Sequence, residues 1–198
     1  RIRGQAMQEA APEGAGAMAA VIGVDGALVE EVCREVSGER VVTPANYNAP
    51  AQIVIGGHAQ AVDAAIVKLL ERGARKAVRL AVSVPSHTPL MREAANRVAE
   101  AVKACNWNQP KIPVVQNVDA RAHPDLAGIR DTLVRQMYLP VRWSECVQAL
   151  AAGGATRVAE CGPGKVLTGL LKRIDKTIDG RALGTPDEFD AALDDWHA

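Results

Sequence analysis

The stretch VSVPSHTPLM, residues 82–91, holds the side chain best suited to proton transfer in this sequence. A neutral imidazole accepts a proton near pH 7, so His87 could act as a general base. A lone histidine is more often structural, because any partly buried turn readily satisfies both ring nitrogens. Against that, Pro85 ends an apolar run, and Thr88 and Pro89 supply a helix N-cap and a first helical residue. His87 therefore lies on a strand-to-helix turn, where open α/β sheets place their chemistry, and both roles stay open.

A general base needs a nucleophile, and no serine of the sequence lies in a G-x-S-x-G turn. Cys161, in AECGPG, follows a predicted strand and precedes a predicted helix, so a Cys161–His87 pair is one alternative. A buried structural cysteine is the commoner role for such a residue. The GPGK sequence at 162–165 lacks the spacing of a phosphate-binding loop, because Val166 follows the lysine. It predicts a tight turn instead.

Three further polar residues give no indication of function when each is considered alone. Arg3 lies in RGQAMQEAA, which has the pattern of the last turns of a helix, and by position alone it is a solvated cation. Asn46, in ANYNAPAQ, could equally be a turn residue whose side chain bonds the local backbone. Gln136, in VRQMYLPVRW, carries no signal of its own. None of the three indicates a site without further information.

The composition excludes several classes of protein. Hydrophobic residues make up 48% of the 198, and 23 basic residues balance 23 acidic ones. This zero net charge argues against nucleic acid or an anionic membrane as the main partner. The apolar stretches are shorter than a membrane span, and the first ten residues lack a signal peptide's apolar core, so we expect a soluble, cytoplasmic protein. Wide cysteine spacing predicts free thiols rather than a zinc site or disulfides at Cys33, Cys105, Cys146 and Cys161.

Hydrophobic periodicity over the first half of the chain predicts one compact module. A strand at 16–24 precedes a helix at 27–36, two short strands flank Asn-Ala-Pro, a helix follows at 59–74, and a strand follows at 74–84. The order β-α-β-β-α-β is that of a ferredoxin-like module.

The second half of the chain alternates between helical and strand patterns, including a buried strand before the Gly-Pro-Gly turn. This alternation predicts a parallel α/β layer structure beside or around the module. The predicted elements lie at 90–105, 112–118, 126–138, 143–154, 156–161, 166–174 and 189–196.

Six motifs, taken together and in order, resemble the malonyl-CoA:acyl-carrier-protein transacylase family of fatty-acid synthesis. They are RGxxMQEA, GAMAAVIG, NYNAPAQIVIGG, VSVPSHTPLM, LVRQMYLPVRW and ECGPGKVLTGLLKRI, and they cover essentially the whole chain. The resemblance implies an α/β fold, in which an α/β-hydrolase-like acyltransferase large domain carries an inserted ferredoxin-like small domain. The implied division is residues 1–12 as the end of a large-domain helix, 13–85 as the small domain, and 86–198 as the C-terminal part of the large domain.

The same resemblance implies roles for four residues. The family's catalytic histidine falls on His87 and its motif glutamine on Gln136, where the nearby main-chain carbonyl would orient the imidazole. The family's malonyl-binding arginine falls on Arg3, and an asparagine near the active site falls on Asn46. No metal and no cofactor are implied beyond the substrates malonyl-CoA and phosphopantetheinylated acyl carrier protein.

One departure from the family pattern concerns the nucleophile. The family's serine lies in a GHSxGE motif upstream of the arginine, and this motif is absent from the sequence. We therefore expect a C-terminal portion that is inactive alone, that transfers malonyl groups through a serine outside this chain, and that is a monomer when complete. The implied partners are acyl carrier protein, malonyl-CoA and a complementary N-terminal segment carrying the serine, with no nucleic acid and no membrane. The alternatives are a non-catalytic fragment that binds a partner and a thiol hydrolase based on Cys161.

Acyl carrier proteins are acidic, so a basic docking surface is expected on a partner of such a protein. Two groups of cations are candidates, and an ordinary solvated surface is the equally weighted alternative. The candidates are Arg72, Arg75, Lys76, Arg79, Lys172, Arg173 and Lys176.

Overall fold

The computed structural model of the protein describes residues 1–12, 14–82 and 84–197. Glu13, which opens the predicted small domain, and Ser83, in the predicted strand at 74–84, lie outside the described residues. The helices are α1 (Ile2–Ala10), α2 (Gly26–Val36), α3 (Ala59–Glu71), α4 (Arg92–Ala104), α5 (Leu126–Arg135), α6 (Trp143–Ala152), α7 (Val166–Ile174) and α8 (Pro186–His197). The strands are β1 (Gly16–Ile22), β2 (Val42–Ala49), β3 (Gln52–His58), β4 (Lys76–Arg79), β5 (Val115–Gln116), β6 (Arg121–Ala122), β7 (Arg157–Glu160) and β8 (Asp179–Ala182), and Pro89–Met91 form a 3-10 turn. The chain is an α/β protein.

The first half of the chain forms a four-stranded antiparallel sheet in the order β2-β3-β1-β4. Its element order is the predicted β-α-β-β-α-β. At one end of the sheet Ile22, the last residue of β1, pairs with Gln52 of β3 on one side and Lys76 of β4 on the other. The starts of β3 and β4 therefore lie on either side of the end of β1.

Helices α2 and α3 cover one face of this sheet and bury its main apolar core. Val29, Val32, Ile55 and Leu69 are fully buried within one cluster that joins both helices to the strands. Burial of each such side chain contributes roughly 1.5–3 kcal/mol before the entropy of ordering is subtracted. Asp25 caps α2, since its carboxylate accepts a hydrogen bond from the Leu28 N–H at 2.8 Å.

Strand β4 is shorter than the apolar pattern predicts. It ends at Arg79 rather than at residue 84, and its last main-chain bond runs from Leu80 N–H to Met18 O at 2.9 Å. Val82 is 50% exposed beyond that point. Because β4 is an edge strand of the described sheet, it is hydrogen-bonded to β1 on one side, so apolar alternation alone overestimates its length.

The second half of the chain contains less strand than predicted. Strands β5 and β6 pair over two residues, and β7 and β8 form a short parallel pair. The prediction of a buried strand before the Gly-Pro-Gly turn is wrong, because the residues of β7 are exposed or half-buried. Strands β6 and β8 were missed since Arg121–Ala122 and Asp179–Ala182 are charged and lack apolar alternation.

A small apolar cluster brings three distant segments together. Ala6 and Met7 of α1, Met91 of the 3-10 turn, Ala95 of α4 and Met137 after α5 pack against one another. Every one of these residues is at most 7% exposed. This cluster fixes α1, the segment around residue 87 and the segment around residue 137 relative to one another. Across the described ranges, no helix combines the length and apolarity needed to span a bilayer.

Candidate active site

His87 occupies a strained position on the turn that precedes the 3-10 segment. Its φ is +63°, in the left-handed region that residues other than glycine rarely adopt. The main-chain N–H of His87 donates to Met137 O at 3.0 Å, which ties the turn to the segment after α5. The structure thus holds a histidine where the backbone alone would favour glycine.

The imidazole of His87 contacts the residue directly before Met137. Its Nδ1 lies 2.6 Å from the main-chain carbonyl oxygen of Gln136. A carbonyl oxygen only accepts hydrogen bonds, so Nδ1 carries the proton and the neutral ring presents the lone pair of Nε2. His87 is therefore oriented with one nitrogen available to accept a proton.

The surroundings of His87 keep its ring neutral near pH 7. Burial lowers the pKa, the bond to the Gln136 carbonyl opposes this shift, and the positive charge of Arg3 lowers the pKa further. The net result is a pKa below the ordinary value for histidine. A base that is unprotonated at neutral pH is what general base catalysis requires.

Arg3 lies on α1 and is exposed, while its charge acts on His87. Helix α1 is held in place by the buried Ala6 and Met7, and by an ion pair between Glu9 and Arg97 of α4. The guanidinium of Arg3 is therefore accessible to solvent and near enough for its charge to act on the imidazole.

Asn46 is half-buried within β2, so its interpretation as a turn residue is wrong. Asn46 forms an isolated parallel bridge with Val141. Two main-chain bonds of 2.8 Å make this connection, from Tyr47 N–H to Val141 O and from Val141 N–H to Ala45 O. The edge of the sheet is thereby tied to the segment that follows Gln136.

Thr88 was predicted as an N-cap, and its side chain does something different. It stands at the N-cap position of the 3-10 turn, but its hydroxyl donates to Pro85 O at 2.7 Å instead of accepting from the helix. Thr88 is 0% exposed. Sequence reasoning missed this backward bond, because a Thr-Pro pair favours the capping interpretation.

Cys161 is exposed, so the expectation of a buried structural cysteine at this position is wrong. The predicted tight turn after it is confirmed, with Gly162 at φ +154° and Gly164 at φ +87°. Among the described residues no hydrogen bond joins Cys161 to His87. The geometry gives no support to a Cys161–His87 pair.

Glu160 occupies the N-terminus of α7, where a phosphate-binding loop would hold its ligand. Its carboxylate accepts from the main-chain N–H groups of Leu167 at 3.0 Å and Thr168 at 2.7 Å, and from the Thr168 hydroxyl at 2.7 Å. Partial burial raises the pKa of Glu160, but these bonds outweigh it and lower the pKa overall. The α7 N–H groups that would bind a phosphate are thus already satisfied.

The cations proposed for partner docking do not form one uniform surface. Arg72 pairs with Glu31 at 3.0 Å, and Arg79 pairs with Asp63 at 2.6 Å, so their charges are largely offset. The remaining cations have no ion pair within the part of the chain that the structure describes. They are Arg75, Lys76, Lys172, Arg173 and Lys176.

Comparison with known proteins gives a family for this fold and site. Residues 1–182 match the family described as the acyl transferase domain. Because the match covers most of the 198 residues, the chain belongs to the acyl transferase domain family.

Individual relatives point to a narrower group within that family. The chain is 48% identical over 193 residues to the malonyl CoA-acyl carrier protein transacylase of Escherichia coli K12, covering 98% of this chain and 62% of that protein. The crystal structure of malonyl-CoA:acyl carrier protein transacylase from Xanthomonas oryzae pv. oryzae matches with a TM-score of 0.96 at 64% identity, over 98% of this chain and 62% of that one. A malonyl-transacylase in complex with a type II polyketide acyl-carrier protein matches with a TM-score of 0.96 at 43% identity, over 98% of this chain and 63% of that one. The chain thus spans less than two thirds of the length of these relatives.

Proposed function

We propose that this chain is the histidine-bearing portion of a malonyl-CoA:acyl-carrier-protein transacylase of fatty-acid biosynthesis. The enzyme would move a malonyl group from malonyl-CoA to the phosphopantetheine thiol of acyl carrier protein through an acyl-serine located outside these 198 residues. The names of the relatives support this proposal. The observation that carries it is the 2.6 Å contact between His87 Nδ1 and the Gln136 carbonyl, which leaves Nε2 free to accept a proton.

In the first half-reaction Nε2 of His87 takes the serine proton as the serine oxygen attacks the malonyl thioester carbonyl. The tetrahedral intermediate collapses, the carbon–sulfur bond breaks, and the imidazolium gives its proton to the leaving CoA thiolate. In the second half-reaction the same nitrogen takes the proton of the carrier-protein thiol, which attacks the acyl-serine ester. The serine oxygen leaves with the proton from the imidazolium, so the enzyme returns to its starting state.

A main-chain carbonyl orients His87 in this scheme, where serine hydrolases use a carboxylate. A carbonyl dipole fixes the tautomer but stabilises the imidazolium less than a full negative charge does. This weaker stabilisation of the imidazolium is sufficient here, because a thioester is an activated acyl donor and a thiolate is a good leaving group.

Arg3 would select the malonyl group. A planar guanidinium can hold the free carboxylate with two parallel hydrogen bonds, whereas an acetyl group offers no partner for its charge. Asn46 would line the same cleft, since its strand is bonded to the segment that follows Gln136. We propose no metal and no cofactor beyond the two substrates.

We also propose a division of the chain into two domains. Residues 13–85 would be a ferredoxin-like small domain, supported by the sheet order β2-β3-β1-β4 and by the two helices on one face. Residues 1–12 and 86–198 would be parts of an α/β-hydrolase-like large domain. The cluster of Met7, Met91 and Met137 supports grouping these segments together.

Acyl carrier protein would dock on the exposed cations that have no ion pair within the described residues. The Arg173 guanidinium donates to the Gln52 side chain at 2.6 Å, and Gln52 and Lys76 both flank Ile22 at one end of the sheet. Arg75, Lys76, Lys172 and Lys176 therefore belong to one end of the molecule, and we call these four residues the basic cluster. An acidic carrier protein fits such a cluster.

The test is malonyl transfer measured in two preparations. One is the 198-residue chain, and the other is the chain extended at its N-terminus by the segment that we propose to carry the serine. We expect transfer from malonyl-CoA to carrier protein only with the extended chain, and a loss of about 10²- to 10⁴-fold in kcat on His87→Ala. Full activity of the extended His87→Ala variant would refute the proposal.

A further inference from the structure

The backbone strain at His87 requires a local element that maintains it. A left-handed conformation at a residue with a Cβ persists only where neighbouring contacts over-determine it. His87 itself supplies two bonds, from its N–H to Met137 O and from its ring to Gln136 O. Both bonds reach to the opposite segment, so neither fixes the turn from within.

Thr88 closes the turn from within. Its hydroxyl donates to Pro85 O at 2.7 Å, which spans the two intervening residues and so encloses His87. A second bond, from Met91 N–H to Thr88 O at 3.0 Å, joins the turn to the 3-10 segment. Thr88 is 0% exposed, so water cannot replace its hydroxyl at Pro85.

The methyl group of Thr88 is fixed by the sheet. A Cβ added to Gly56 of β3 would lie 3.0 Å from Thr88 Cγ2 and 3.4 Å from Met18 Cγ. Only a residue without a side chain fits at position 56 without displacing Thr88. The two ends of the Thr88 side chain therefore contact different elements, with the hydroxyl on the turn and the methyl group on β3.

We propose that Thr88 is a positioning residue for His87, because its hydroxyl bond to Pro85, made by a side chain that lies against Gly56, holds the left-handed turn that brings Nδ1 to the Gln136 carbonyl. The role of Thr88 in catalysis rests on the proposed function of His87 as a base. The effect of Thr88 on the geometry of the His87 ring does not depend on that proposed function.

Two substitutions separate the two ends of the side chain. Thr88→Val keeps the shape and loses the donor, so Pro85 O is left buried without its partner. Thr88→Ser keeps the donor and loses the methyl group. The matched control is Thr132→Val, because Thr132 is 1% exposed and its hydroxyl also bonds a main-chain carbonyl, that of Gly128 at 2.8 Å, within α5.

The first measurement is the ¹⁵N NMR spectrum of the His87 ring in the 198-residue chain, assigned with His87→Gln. We expect Thr88→Val to populate the Nε2–H tautomer, and we expect Thr88→Ser and Thr132→Val to keep Nδ1–H. An unchanged Nδ1–H tautomer in Thr88→Val would overturn the proposal. If Thr88→Val does not fold, Gly56→Ala gives the same readout, because its added Cβ pushes the Thr88 side chain away from β3 and so moves the hydroxyl off Pro85 O.

The second measurement is malonyl transfer by the extended chain. We expect Thr88→Val to lower kcat by about 10- to 100-fold with KM for malonyl-CoA unchanged, and Thr88→Ser to restore most of the loss. A tautomer change without any loss of kcat would support the positioning role and contradict the role of His87 as the base. The two ideas therefore fail in distinguishable ways.

Discussion

The imidazole of His87 and the main-chain carbonyl of Gln136 lie 2.6 Å apart, although 49 positions separate the two residues in the chain. The next carbonyl, that of Met137, accepts the His87 N–H at 3.0 Å. Two consecutive carbonyls thus bind the ring and the backbone of one histidine. The backbone of the segment after α5 fixes the tautomer, and the side chain of Gln136 is not needed for this contact.

Substitution of Gln136 should therefore have little effect on proton transfer. Gln136→Ala keeps the main-chain carbonyl, so we expect kcat for malonyl transfer by the extended chain to stay near the wild-type value. His87→Ala, measured alongside, should lose about 10²- to 10⁴-fold. If Gln136→Ala matched the loss of His87→Ala, the side chain rather than the carbonyl would be the functional group.

Removal of the Arg3 charge should raise the pKa of His87. Burial lowers this pKa and the nearby guanidinium lowers it further, so Arg3→Gln relieves one of the two downward effects. NMR titration of the His87 ring in the 198-residue chain measures the change. Lys103→Gln on α4 is the matched control, and it should leave the pKa unchanged, because Lys103 is an exposed cation paired with Glu100 and makes no hydrogen bond or ion pair with α1 among the described residues. A lower pKa in Arg3→Gln would show that Arg3 does not act through its charge.

The stability of the chain should depend on the protonation of His87. The folded state has the lower pKa, so the unfolded chain binds the proton more strongly. The stabilisation from a neutral His87 is thus complete when the pH is well above the ordinary histidine pKa of about 6.5. It is lost as the pH falls through that value toward the lower pKa of the folded state. Urea titrations between pH 5 and 8 should show this loss in the wild type and a smaller loss in His87→Gln.

The fold and the site differ in how far the sequence predicts them. The order of strands and helices over 16–79 follows from hydrophobic periodicity, because α2, α3 and the strands bury regular apolar patterns. The end of β4 does not, since Val82 keeps the alternation after the pairing has stopped. The contact of His87 with Gln136 cannot be read from periodicity either, because it joins a side chain to a backbone group 49 positions away. Only the similarity of several motifs to one family indicated that these two residues meet.

Glu160 should contribute to stability through α7 alone. Glu160→Ala removes three hydrogen bonds at the helix N-terminus, and loss of such a cap costs about 1 kcal/mol, up to about 2. We expect thermal unfolding at a lower temperature with the NMR signals of His87 unchanged. Glu100→Ala is the control, because within the described ranges Glu100 pairs with Lys103 alone, on the exposed surface of α4, and its loss should cost far less.

The basic cluster should affect only the second substrate. Lys76→Glu reverses one cation that has no ion pair within the described ranges, so we expect a higher KM for acyl carrier protein and an unchanged KM for malonyl-CoA in the extended chain. Lys103→Glu on α4 is the matched control, since this exposed lysine lies outside the cluster. The increase should shrink at high salt, because screening weakens the attraction between exposed charges. Equal effects of the two substitutions would exclude docking at this end of the sheet.

Arg3 should determine which acyl group is transferred. In Arg3→Lys the positive charge remains but the planar pair of donors is lost, so a malonyl carboxylate can no longer be held by two parallel hydrogen bonds. We expect kcat/KM for malonyl-CoA to fall in Arg3→Lys and to fall further in Arg3→Ala, whereas the slow transfer of acetyl groups should not fall with either substitution. The ratio of the two substrates, measured with the extended chain, is the decisive quantity because it cancels any general damage to His87. A parallel fall for malonyl and acetyl groups would mean that Arg3 maintains the site as a whole, through α1 and its packing on α4, and does not bind the carboxylate.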